Sequence, residues 1–183
     1  MDHDAAAAAA IAALTEAYPH LAQGPASHPA LAGCEEVDWT VIPGCPKGVP
    51  VVLRGLVDPR AAEEASRALS WLVMSGPLRI STVMPAVVPF LLRLAADPSV
   101  PLRGELFDLV LMAAALSEPA DPGSPWDLAI SGPEEDHPER ALCRASFAAD
   151  AAWVRRLLAD EGLPVDSPLS DDERARLLGA AGL

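Results

Sequence analysis

Apolar residues recur three and four apart in every segment of this chain long enough to show a period, and nowhere do they alternate over the length of a strand. Ala65, Leu69, Leu72 and Val73 form one stripe, with Arg60, Glu63, Glu64 and Arg67 on the opposite face. Leu106, Leu109, Val110, Met112 and Ala113 form another, and Val83, Val87, Leu91 and Leu94 a third that Pro89 breaks into a kink or two short helices. The longest stripe takes Leu142, Cys143, Phe147, Ala151, Val154, Leu157 and Leu158, which predicts one helix over about 138–161. Pro138 suits its first turn, and Gly162 followed by Pro164 suits its end. An alanine run from Ala5 to Ala10, with Asp2 and Asp4 at its positive end, predicts a first helix over 4–17 that Tyr18-Pro19 stops. Ser170-Asp171-Asp172-Glu173 is a capping box for a last helix to about Gly179. The pattern predicts an all-α fold.

One stretch occurs twice. Val49-Pro50-Val51-Val52-Leu53-Arg54-Gly55-Leu56-Val57-Asp58-Pro59 returns 39 residues later as Val88-Pro89-Phe90-Leu91-Leu92-Arg93-Leu94-Ala95-Ala96-Asp97-Pro98. Val, Pro, Leu, Arg, Asp and Pro recur in register, and a period of that size on helical spacing belongs to stacked helix pairs of the HEAT or armadillo kind. Pro50 and Pro89 each fit the first turn of a short helix, where the missing N–H costs nothing. Asp58-Pro59 and Asp97-Pro98 are expected to end those helices and cap the next ones. The predicted architecture is a short HEAT-like α-solenoid of stacked antiparallel helix pairs with a C-terminal helical extension.

Val37-Asp38-Trp39-Thr40, Gly44, Gly48-Val49-Pro50 and Leu53-Arg54 resemble the opening of a family of small bacterial HEAT-repeat proteins. Met84, Ala86, Val88-Pro89-Phe90-Leu91, Asp97-Pro98 and Arg103 resemble that family's second repeat. The resemblance covers about 37–116, and its motifs imply a fold and no activity. Ser75-Gly76-Pro77-Leu78 stands where the family often carries a His-Gln-Gly-Thr turn, so no role of that turn carries over.

The organisation read from these signals is an N-terminal helix and linker arm over 1–36, a HEAT-like core over 37–116, an acidic proline-rich loop over 117–138 and capping helices over 139–183. The arm has turn chemistry at Gln23-Gly24-Pro25 and Gly33, and the loop has it at Asp121-Pro122-Gly123 and Gly132-Pro133. Trp126, Leu128 and Ile130 are the apolar residues able to tether the loop to the body.

Charge narrows the functional classes. Twenty-six acidic against 13 basic side chains give a net charge of −13, which opposes a phosphate backbone and suits a basic protein partner. Direct nucleic-acid binding is therefore not expected. Lys47 is the only lysine, a bias typical of GC-rich bacterial coding. The apolar run from Ala5 to Leu14 is too short for the ~30 Å core of a bilayer, so no membrane contact is expected. Cys34, Cys45 and Cys143 form an odd set without paired spacing, which suggests reduced thiols and a cytoplasmic protein.

Candidate chemistry is thin. His20, His28, Cys34 and Cys45 have soft-ligand character but neither Cys-x2-Cys nor His-x3-His spacing, so no metal is read. Cys143 with His137 suggests a nucleophile and base, yet Cys143 lies on an apolar stripe, where a buried structural thiol is expected. Ser75 lacks a nucleophile elbow, and no phosphate-cradling glycine loop occurs, so neither catalytic nor cofactor residues are assigned. Trp71 and Trp153 have core spacing. The partner-contact candidates are Trp126 and the carboxylates Glu134, Glu135 and Asp136. These features point to a non-enzymatic adaptor or immunity-like inhibitor offering an acidic repeat surface to a basic partner. The alternatives are an accessory or substrate-handling factor of a biosynthetic pathway, or an enzyme whose site is assembled on the repeat face.

Overall fold

A computed structural model describes residues 3–24, 27–160, 162–163 and 169–183; Asp2, Pro25 and Pro164 lie outside the described residues. The α-helices among them are α1 (His3–Ala17), α2 (Val49–Leu56), α3 (Ala62–Val73), α4 (Met84–Ala95), α5 (Arg103–Leu116), α6 (Pro125–Ser131), α7 (Pro138–Ala149), α8 (Ala151–Leu158) and α9 (Asp171–Ala180). Among the described residues the one sheet is a hairpin, β1 (Met74–Gly76) against β2 (Arg79–Ile80), with Met74 opposite Ile80. The chain is all-α.

Two glycines set the packing at the N-terminal end. Gly48 adopts φ +97° ahead of α2, and a Cβ there would stand 2.7 Å from Ile11 Cγ2 of α1. Gly55 of α2 lets α3 approach so closely that a Cβ would lie 2.7 Å from Ala65 Cβ. α1 is thus docked, with Ala7, Ile11 and Leu14 buried and its main contact on α3. The core continues through Leu53, Leu69, Leu91, Leu92, Phe107 and Phe147, all fully buried. α4 packs on both α5 and α7, and α9 closes over α5 with Ser170 and Glu173 completing the capping box.

Pro89 departs from the expectation. It lies inside α4, and Pro85 takes the first-turn position instead. A proline at 89 has no N–H for the Pro85 carbonyl four residues back, so that acceptor needs a donor from elsewhere. Ser146 of α7 supplies it, its single hydroxyl proton lying between Pro85 O at 2.8 Å and Leu142 O of its own helix at 3.1 Å, with the shorter contact to Pro85. The stripe over 138–161 also divides, at Asp150, into α7 and α8. Phe147 and Val154 are seven apart and would share a face of an unbroken helix, so the hydrophobic period carries no trace of the break.

The described parts of the arm, 18–24 and 27–36, form a strap. Leu21, Ala30, Leu31 and Cys34 are buried along it, and the repeated polar residues hold it. Arg54 Nη1 donates to Gly24 O at 2.7 Å and to Glu35 Oε1 at 2.8 Å, while Arg93 Nη1, in the same register of α4, donates to Ala32 O at 2.8 Å. Asp58 meets His20 Nε2 at 2.6 Å, and Asp97 lies 3.8 Å from His28 Nε2. The His20 contact holds the Asp58 carboxyl below its ordinary range, and the Ser99 hydroxyl does the same for Asp97. Neither aspartate caps the following α-helix, contrary to expectation. Each instead accepts the N–H two residues on, from Arg60 and Ser99, and turns the chain there.

Truncating Leu53 or Leu92 to Ala is expected to cost about 2–5 kcal/mol in urea unfolding, since both are sealed in the core. Ser146→Ala is expected to cost about 1–3 kcal/mol by stranding the Pro85 carbonyl. In a Pro89→Ala background the same substitution should cost clearly less, because the alanine N–H restores an intrahelical donor. Equal costs in both backgrounds would refute this account of the α4–α7 contact.

Candidate protein-interaction surface

Within 117–138 the chain is more ordered than a featureless loop. Ser124 Oγ accepts from Asp127 N–H at 3.2 Å and Pro125 occupies the first turn, so α6 forms where the composition alone reads as breaker-rich. No residue of α6 is buried: Trp126 is 73% exposed and Ile130 41%. The tether is polar. Arg140, buried in the first turn of α7, donates to Ser131 O, and Arg144 donates to Ser117 O while pairing with Glu134. His137 Nδ1 meets Glu139 Oε1 at 2.9 Å. Of the acidic triplet, Glu134 is engaged in this network with its Oε2 buried, whereas Glu135 and Asp136 are exposed.

Beside this segment lies an apolar groove of about 570 Å³. Val41, Ile42 and Pro43 form one wall, Thr82 with Pro85 and Ala86 of the first turn of α4 another, and Pro138, Glu139, Leu142, Ala145, Ser146 and Ala149 the face of α7. Leu142, Ala145, Ser146 and Ala149 follow the i, i+3, i+4, i+7 rule, so α7 carries two apolar stripes. One buries Cys143 and Phe147 in the core; the other is open to solvent. Leu142, assigned by period to the core stripe, is 57% exposed at the rim, facing Val41, which is 72% exposed across the groove. Thr82 Oγ1 donates to Pro43 O at 2.6 Å and Ser146 Oγ to Pro85 O, so both hydroxyls are engaged within the protein. Glu139 is the one ionisable residue lining the groove among those described, and Glu135, Asp136 and Asp150 adjoin the ends of α7 in sequence.

The residues weighed for catalysis or metal binding are placed elsewhere. His20 and His28 face Asp58 and Asp97, and no group of three His, Cys, Asp or Glu able to hold a metal occurs among the described residues. Burial pushes the Cys34 thiol up to about 11 and the Cys143 thiol up to about 12, so neither is a thiolate near neutrality. Trp71, read as core, is 41% exposed and packs against the His3 ring at 5.6 Å, while Trp153 is half-buried beneath Arg156. Among the described residues no helix is long and apolar enough to cross a membrane. The groove itself left a weak signal in sequence, because its α7 floor is alanine and its far wall comes from a single 3-10 turn and the residues after it, too short to show a period.

No protein-family model matches the chain, no curated protein matches it in sequence, and no solved structure matches its fold.

Glu134→Ala is expected to cost about 1–3 kcal/mol by leaving Arg144 without its carboxylate, whereas Glu135→Ala and Asp136→Ala should each change stability by less than about 0.5 kcal/mol. Thermal or urea unfolding of the three single variants separates the structural acid from the surface acids.

Proposed function

We propose that this chain is a non-enzymatic protein-binding module, an adaptor or inhibitor, that offers an acidic helical-repeat surface to a basic partner. The reading takes α2–α3 and α4–α5 as two HEAT-like helix pairs and the helices from α7 onward as their extension. It is supported by the register of Arg54 with Arg93 and of Asp58 with Asp97, which serve the same role in both copies. The observation that carries the function is the groove between α4 and α7: open, apolar, and lined by one carboxylate and no cation among the described residues. The exposed side chains of Val41 and Leu142 converge on this groove, and apolar surface gathered in a concavity is what a protein partner covers. On a chain of net charge −13, the field at such a site attracts basic proteins and repels acidic ones. Glu135 and Asp136 are exposed immediately ahead of Pro138, which lines the groove, and Trp126 adds an exposed aromatic side chain on the preceding helix.

The reading is tested with the partner retained by the immobilised chain from its native host. Its association rate should fall as salt rises, and the double variant Glu135→Gln, Asp136→Asn should slow it at low salt while leaving the melting temperature unchanged. A partner whose association ignores both salt and the double variant would remove acidity from the explanation.

A further inference from the structure

The groove's chemistry restricts what lies in it. An extended peptide brings one unpaired N–H and one C=O per residue and needs a strand edge or side-chain partners to satisfy them. The walls here are helix surfaces and a proline-containing segment, and the hydroxyls of Thr82 and Ser146 already donate to Pro43 O and Pro85 O. A small polar ligand faces the same shortage, since orienting it takes a few convergent polar groups. A helix satisfies its own backbone and asks of the groove only apolar contact. The floor suits that occupant: Ala86, Ala145 and Ala149 are small, so large side chains from outside have room between the rims at Val41 and Leu142. From Leu142 to Ala149 the floor runs about 10 Å, two turns of helix.

We infer that the groove binds one apolar face of an amphipathic partner helix, two turns deep, with Lys or Arg on the flanks of that helix directed at the carboxylates around α7. This rests on the reading of the chain as a binding module for a basic partner and adds the mode of binding. The apolar anchors sit at i, i+3 or i+4 on the partner and meet the Leu142–Ala145–Ala149 stripe, while the exposed Glu135 and Asp136, just ahead of the groove-lining Pro138, take the cations and Glu139 stays paired with His137.

Two fluorescein-labelled peptides of one Leu/Lys composition, about 14 residues each, serve as probes: one carries leucine at i, i+3, i+4 and i+7, and the other has the order scrambled so that no face forms. Fluorescence anisotropy is expected to give about tenfold or tighter binding for the periodic peptide, a preference that survives added salt although both affinities fall. Leu142→Asp at the rim and Ala145→Leu on the floor should each abolish the preference, and both sites are exposed, so unchanged melting curves will show the fold intact. Equal binding of the two peptides, untouched by Leu142→Asp, would overturn the helix-in-groove inference and leave the acidic-surface reading standing. Binding of neither peptide at low salt would overturn both. A concentration-dependent dimer in sedimentation velocity that Leu142→Asp converts to monomer would assign the groove to a second copy of this chain and overturn the inference.

Discussion

Main-chain carbonyls that no helical ladder can satisfy are the constraint on which this structure turns, and arginine is the residue that meets it. Arg54 donates to Gly24 O, Arg93 to Ala32 O, Arg103 to Ala95 O, Arg140 to Ser131 O and Arg144 to Ser117 O. Each of these joins a helix to a turn, a helix end or the strap. A guanidinium has five donors in a rigid fork and can hold a carbonyl and a carboxylate at once, as Arg54 does with Glu35, Arg103 with Asp160 and Arg144 with Glu134. Lysine concentrates three donors on one flexible point. The presence of twelve arginines and a single lysine therefore has a structural reason in addition to any coding bias.

The same constraint shapes the surface. Pro89 removes a donor from the middle of α4, and the freed Pro85 carbonyl draws the Ser146 hydroxyl of α7 to it. That contact lies on the α4–α7 interface, where Cys143 and Phe147 turn into the core and leave Leu142, Ala145 and Ala149 turned outward. The hydroxyl that joins the helices is also the one that would otherwise have offered the groove a donor. Closing the backbone defect thus engages a hydroxyl that lines the groove, beside a floor of alanines.

What was legible in sequence was whatever had a period or a cap. The stripes of α3 and α5, the capping box at Ser170 and the first-turn role of Pro50 lie where pattern places them. What was not legible depended on partners far away in sequence. Pro89 reads as a helix start because its pattern copies Pro50, whereas it lies mid-helix and the Pro85 carbonyl it frees is met by Ser146, 57 residues on. The arm reads as a linker because its glycines and prolines have no period, yet Arg54, Asp58, Arg93 and Asp97 hold it. Their register at 39 residues was visible; their common target was not. Trp71 has core spacing but lies at the edge where α3 runs into the hairpin, so its ring finds His3 and solvent. Of the partner-contact residues, Trp126, Glu135 and Asp136 are exposed, and Glu134 is drawn into the Arg144 network.

Charge and groove perform different work in the proposed recognition. Exposed carboxylates such as Glu135 and Asp136 act over about a Debye length, ~8 Å at physiological salt, and chiefly raise the rate of encounter with a basic partner. They add little to the lifetime of a complex, because surface ion pairs contribute only about 0–1 kcal/mol each. Lifetime depends on apolar area removed from water, at roughly 25 cal/mol per Å², and the exposed side chains of Val41 and Leu142 with the alanine floor between them are where that area lies. An acidic face alone would capture basic proteins briefly and without discrimination, since a long-range field reads net charge and not shape. In the proposed recognition the groove is what would supply the discrimination: its depth is set by the alanines of one stripe of α7, and the position of that stripe is set by the core contacts of the other.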